Sequence, residues 1–101
     1  MKLLWTKEAL LRLQEIEEYI SRDNPVAAVE FVDKLIFLAE TIVDNPKKGR
    51  VVPEFSLENI RELLYNNYRI VYPIKKSSVE ILTVFEGHQL AKKKEILKTK
   101  K

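Results

Sequence analysis

The side chains in this sequence that are suited to chemistry are Lys47, Lys48, Arg50, Glu54, Arg61, Arg69, Glu86 and His88, all in the second half of the chain. Guanidinium groups bind phosphate and stabilise developing negative charge. A carboxylate and an imidazole, here Glu54 and His88, can divide the base and acid roles of phosphodiester cleavage. Such chemistry needs no metal. One histidine and scattered carboxylates make no ligand set, and HExxH, GxSxG and P-loop patterns are absent, so neither a cofactor nor a small-molecule ligand is expected. Each residue also has a plainer reading. Lys47 and Lys48 sit in a turn and suit solvation, a lone histidine suits the surface, and Arg61 and Glu62 suit pairing across strands. Tyr65, Tyr68 and Tyr72 can stack on bases, but at alternating strand positions they suit the core or its rim. Arg69 is the hardest to explain structurally, because an arginine in an apolar strand has to reach water, a carboxylate or a ligand, and the sequence shows no obvious internal partner.

Positioning these residues falls to two helices and a set of strands. Lys2 to Trp5 reads as a starting strand, and Thr6 can cap a helix in which Ala9, Leu13, Ile16 and Ile20 recur at helical spacing. Asp23-Asn24-Pro25 ends that helix and starts a second, with Asn24 as cap and proline at the first position. Ala28, Val32, Leu35, Ala39 and Ile42 form its stripe, and Val29, Ile36 and Val43 are expected to widen its buried face. Asp44-Asn45-Pro46 stops it, and the short link between the two helices at Asp23-Asn24-Pro25 requires an antiparallel helical hairpin. Lys47 to Arg50 reads as a turn, Val51-Val52-Pro53 as an edge strand, and Phe55 to Asn59 as a loop. Ile60 to Tyr65 and Tyr68 to Ile74 form a β-hairpin about Asn66-Asn67. Val79 to Phe85 reads as one further strand, broken at Gly87, and Gln89 to Leu97 as a short basic helix. The expected fold class is α+β, with the helical hairpin on one face of a mostly antiparallel sheet of about four strands. The opposite face is expected to stay open for a ligand, with Arg61, Arg69 and the His88 region reaching a common surface.

With 101 residues and a 46% apolar fraction, one domain spanning 1–101 is expected, residues 92–101 forming a basic tail or frayed helix. Cysteine is absent, which excludes disulfides and thiolate chemistry and suits a reducing cytoplasm. No apolar run has the length of a membrane span, and the N-terminus turns charged too soon for a signal peptide. Charge is segregated: residues 1–45 carry five Lys/Arg against nine Asp/Glu, and residues 46–101 carry thirteen against six. The basic half favours an acidic or polyanionic partner, with Lys47, Lys48, Arg50 and Arg61 as target or nucleic-acid contacts.

Over nearly its whole length the sequence resembles the RelE/ParE superfamily of toxins from type II toxin-antitoxin modules. The marks are Trp5-Thr6, Ala9 to Ile20, Asn24-Pro25 with Ala28, Phe31, Leu35, and Asn45-Pro46 with Gly49-Arg50. They continue in Val52-Pro53-Glu54-Phe55, Ile60-Arg61-Glu62-Leu63 and Tyr68-Arg69-Ile70-Val71-Tyr72. The resemblance implies the same fold, a cognate antitoxin that wraps the protein, and a growth-arresting toxin of the plasmid-stabilisation type. ParE-like members poison DNA gyrase, whereas RelE-like members cleave mRNA on the ribosome. Hairpin length and the Asn-Pro-x-x-Ala and Pro-Glu-Phe patterns look like ParE. Glu54, Arg69 and His88 are similar to the catalytic glutamate, strand arginine and C-terminal histidine of YoeB-type nucleases, but Gln89 stands where those carry tyrosine. Gyrase inhibition is the leading expectation, a ribosome-dependent mRNA endonuclease the second, and a non-toxic binding partner the third.

Overall fold

A computed structural model describes residues 2–87; Met1 and residues 88–101, with His88, Gln89 and the expected basic tail or helix, lie outside the described residues. The order is β1 (Lys2–Trp5), α1 (Lys7–Ser21), α2 (Pro25–Ile42), a 3-10 turn (Pro46–Lys48), β2 (Arg50–Val51), β3 (Ile60–Tyr65), β4 (Tyr68–Pro73), β5 (Ser78–Ile81) and β6 (Thr83–Glu86). This is the expected α+β fold. The main sheet has the order β2-β3-β4-β6, and β1 pairs with β5 in a separate two-stranded sheet.

Local chemistry sets the helix starts. The Thr6 hydroxyl accepts the Ala9 N–H at 3.0 Å, and the Asn24 side chain accepts the Ala27 N–H at 3.1 Å, each satisfying a donor that the helix leaves free. Thr6 also ties the helix to the strands, since its hydroxyl donates to the Leu82 carbonyl at 2.7 Å and its N–H to the Ile81 carbonyl at 3.1 Å. Between β3 and β4 the chain reverses at Asn66, whose φ of 52° is one that asparagine tolerates.

The core is in two parts. Ala9, Leu13 and Ile16 of α1 and Val32, Leu35, Ala39 and Ile42 of α2 pack against Ile70, Tyr72, Val79, Ile81 and Val84. On the opposite sheet face Val52, Phe55, Ile60, Val71 and Leu82 form a second cluster. That face is therefore not open as expected, because the loop after β2 folds over it and inserts Val52 and Phe55. Val29 was expected to widen the buried stripe of α2 but is 52% exposed.

Two further expectations about strands are corrected. Val79 to Phe85 is not one strand, because β5 pairs in parallel with β1 while β6 pairs antiparallel with β4. Val79 and Ile81 face the helices, Leu82 enters the opposite cluster, and Val84 faces the helices again. The alternation slips by one residue at Leu82, which a wholly apolar run conceals. The expected Val51-Val52-Pro53 strand is Arg50–Val51 instead, since the Val52 side chain is drawn into the second cluster.

Candidate functional site

Strand register decides which charged residues meet. Arg50 faces Glu62 across β2 and β3, and Arg69 faces Leu64 across β3 and β4. Alternation then puts Arg50, Glu62, Leu64 and Arg69 on the face away from the helices. Arg61, one residue out of phase with Glu62 and paired in register with Tyr72, belongs to the other face. Arg61 and Arg69 therefore do not share a surface. Arg61 closes the loop before it, donating to the Gly49 carbonyl at 3.1 Å, the Glu58 carbonyl at 3.1 Å and the Glu58 carboxylate at 2.9 Å.

Arg69 has the internal partners that the sequence did not show. Its Nη1 donates to both oxygens of Glu54, at 2.8 and 2.7 Å, and approaches Glu62 Oε1 at 3.3 Å. Nη2 reaches the Gly87 carbonyl at 3.4 Å, and the guanidinium carbon lies 5.5 Å from the centre of the Phe85 ring. Glu62 is the residue that sequence reasoning undervalued. Its side chain is fully buried, and it holds Arg50 Nε at 2.6 Å on one oxygen and Arg69 on the other. A buried carboxylate needs such compensation, and two guanidinium groups supply it. The detectable signal was Glu62 at a strand position whose alternation faces inward, beside two arginines on adjoining strands.

The remaining candidates disperse. The Lys48 ammonium donates to the Thr41 hydroxyl at 3.0 Å, toward α2, and Lys47 stays in the 3-10 turn. Glu86 lies in β6 opposite Tyr68, and burial, with the Glu86 charge beside it, pushes the Tyr68 phenol up. The tyrosines serve as core and rim: Tyr72 is fully buried, while Tyr65 and Tyr68 pack on Phe31 with ring centres 5.3 Å apart. Among the described residues, no group of three or more Asp, Glu, His or Cys side chains is placed to hold a metal ion.

Electrostatics fix the state of the pair. Hydrogen bonding from Arg69 holds the Glu54 carboxyl below its ordinary 4.5, against a smaller upward push from burial. Its folded value lies below its unfolded one, so the stabilisation is present above about 4.5 and lost as pH falls through the depressed value. The pair is partly exposed and contributes on the order of 1 kcal/mol. Glu54→Gln is therefore expected to lower the melting temperature by a few degrees at neutral pH and to leave a smaller further drop on acidification below 4.5 than in the unsubstituted protein. Parallel acid limbs in melts across that range would remove Glu54 from the account.

Beside the pair lies a shallow depression of about 200 Å³, lined by Arg50, Leu64, Asn66, Asn67, Tyr68, Arg69 and Gly87. The Gly87 N–H donates to the Asn67 carbonyl, holding the end of β6 to the β-hairpin turn.

Comparisons with known proteins agree with this architecture. A family model described as the ParE toxin of the type II toxin-antitoxin system, parDE, matches residues 3–91. A protein of Sinorhizobium fredii (strain NBRC 101917 / NGR234) named "Putative toxin Y4kP" is 35% identical over 89 residues, covering 87% of this chain and 90% of that one. A solved structure titled "Chromosomal ParDE TA system from P. aeruginosa" superposes with a TM-score of 0.72 over 85% of this chain and 95% of the other. Its sequence identity is 22%, so that likeness concerns the fold.

Proposed function

Because the chain belongs to the ParE family of toxins from type II toxin-antitoxin systems, we propose that it arrests growth by inhibiting DNA gyrase and not by cleaving RNA. The observation that carries this reading is the state of Glu54. A general base works best with a pKa near the operating pH and a free lone pair, whereas both Glu54 oxygens accept from Arg69 and the carboxyl is held below its ordinary range. Arg69 is likewise engaged by two carboxylates, which suits support of the fold better than capture of a phosphate. The long α1–α2 hairpin, 15 and 18 residues, adds to the ParE-like character. A gyrase target implies action in the cytoplasm. Among the described residues no helix is long and apolar enough to cross a membrane. A cognate antitoxin, by analogy with the ParDE system, is the partner that holds the toxin silent.

The test is induction of the gene without its neighbour, followed by assays of purified protein on gyrase supercoiling and on translated mRNA. Growth arrest with loss of supercoiling and intact mRNA is expected, with Glu54→Gln and His88→Ala both still arresting growth. Site-specific cleavage of translated mRNA, abolished by both substitutions in folded protein, would instead establish the ribosome-dependent nuclease. Normal growth with abundant soluble protein would leave only a binding role.

A further inference from the structure

Between β2 and β3 the chain leaves the sheet and returns to it. The Val52 N–H donates to the Ile60 carbonyl at 3.3 Å and the Ile74 N–H to the Asn59 carbonyl at 2.7 Å, so the two ends of the excursion are held together beside β4. Residues 53–58 lie beyond this neck, and their own hydrogen bonds are local. The Phe55 and Ser56 N–H groups donate to the Val52 carbonyl at 3.1 and 3.0 Å, the Ser56 hydroxyl to the Pro53 carbonyl at 3.3 Å, and the Ile60 N–H to the Leu57 carbonyl at 3.1 Å. A loop with joined ends and internal bonds can move without breaking the strands on either side of it.

Its hold on the sheet is narrow. Of residues 53–59 only Phe55 is buried, in the cluster with Val52, Ile60, Val71 and Leu82. Polar attachment comes from Glu54, with both oxygens on Arg69, and from Glu58, whose carboxylate meets Arg61 on a side chain that is 88% exposed and so holds weakly. Ser56 has a φ of 52°, a left-handed conformation that serine seldom adopts, so the closed path carries strain that opening releases. Few buried contacts and an exposed backbone place a segment at the low end of a protein's range of local stability.

We propose that residues 53–58 form a strap that opens and closes as one unit while the sheet and both helices stay folded, with the Glu54–Arg69 ion pair as its latch. Closed, Glu54 balances the charges around it, and Arg50, Glu54, Glu62 and Arg69 sum to zero. Open, Phe55 no longer covers Val71 and Leu82, and Arg50 and Arg69 face Glu62 alone, which leaves positive charge in excess. The sheet face therefore has two states, one covered and neutral, the other cationic with an apolar floor. A partner that binds one state better shifts the strap by that difference in affinity. The device belongs to the fold and is independent of the target.

Hydrogen exchange of the whole protein, read amide by amide by NMR at neutral pH, tests it. Phe55, Ser56 and Ile60 are expected to share one level of protection, about a hundredfold below that of Leu63 and Ile70 in the β3–β4 ladder. Ile16→Val, in the core beneath α1, is expected to speed Leu63 and Ile70 about fivefold and to leave the other three unchanged, because the strap opens without the helices. Glu54→Gln is expected to speed Phe55, Ser56 and Ile60 together, by about fivefold. Equal acceleration of all five amides by Ile16→Val would mean that the strap opens only when the whole domain unfolds. Unprotected Phe55 and Ser56 would mean that it does not close, and an absent or unequal response to Glu54→Gln would remove the latch. Each of these results overturns the proposal.

Discussion

Arg69→Met will cost about 3 kcal/mol of stability, which for a domain this small lowers the melting temperature by about 15 °C. The reason lies less in the lost bonds of Arg69 than in what it leaves behind. Glu62 is fully buried, and Arg69 is the partner of its second oxygen, so its removal leaves that oxygen uncompensated. Arg50 still holds the first oxygen, which keeps the loss at the lower end of the range for a broken buried pair. Removing the carboxylate charge as well recovers part of the loss. The Arg69→Met/Glu62→Gln double variant is expected to be more stable than Arg69→Met alone, because a neutral amide costs less to bury than an uncompensated charge. Glu54→Gln, which leaves Glu62 fully paired, stays within about 1 kcal/mol of the original. Urea or thermal unfolding of the four proteins measures all of this. A loss below 1 kcal/mol in Arg69→Met, or no recovery in the double variant, would mean that water or Arg50 already satisfies Glu62.

The same residues show what a sequence can and cannot reveal. Thr6, Asn24 and Pro25 announce the helix starts because capping is local chemistry within three residues, and the structure uses each of them so. The hairpin about Asn66 was legible for the same reason. Leu82 was not, since a continuous apolar run hides the one-residue slip that sends β5 and β6 to different neighbours. The partners of Arg69 were hidden by distance along the chain. Glu54 lies 15 residues before it, on a loop whose path over the sheet is set by burial of Val52 and Phe55. Arg61 was expected on a shared surface, although the two-residue turn at Asn66-Asn67 already sets it opposite Tyr72 and one residue out of phase with Leu64, the partner of Arg69.

Gly49→Ala will destabilise the protein by about 3 kcal/mol, although the backbone there, with φ −74° and ψ 156°, suits any residue. The obstacle is close approach. A Cβ at this position would lie 2.6 Å from the Glu62 carbonyl oxygen, which is backbone, and 2.6 Å from the Tyr72 hydroxyl, the end of a fully buried ring held by two hydrogen bonds. The Gly49 N–H donates to that hydroxyl at 2.9 Å, the hydroxyl donates to the Pro46 carbonyl at 2.6 Å, and Arg61 donates to the Gly49 carbonyl at 3.1 Å. Any shift that admits the methyl group therefore strains three bonds and moves the next residue, Arg50, off Glu62. Tyr72→Phe separates the two contacts. Alone it leaves the Gly49 N–H and the Pro46 carbonyl without their partner, at about 2 kcal/mol. Combined with Gly49→Ala it relieves one of the two clashes, so the double variant is expected to lose less than the sum of the single losses. Strictly additive losses in denaturant melts would show that the Glu62 carbonyl alone sets the limit. A Gly49→Ala protein within 1 kcal/mol of the original would show that the 3-10 turn yields freely and does not fix the position of Arg50.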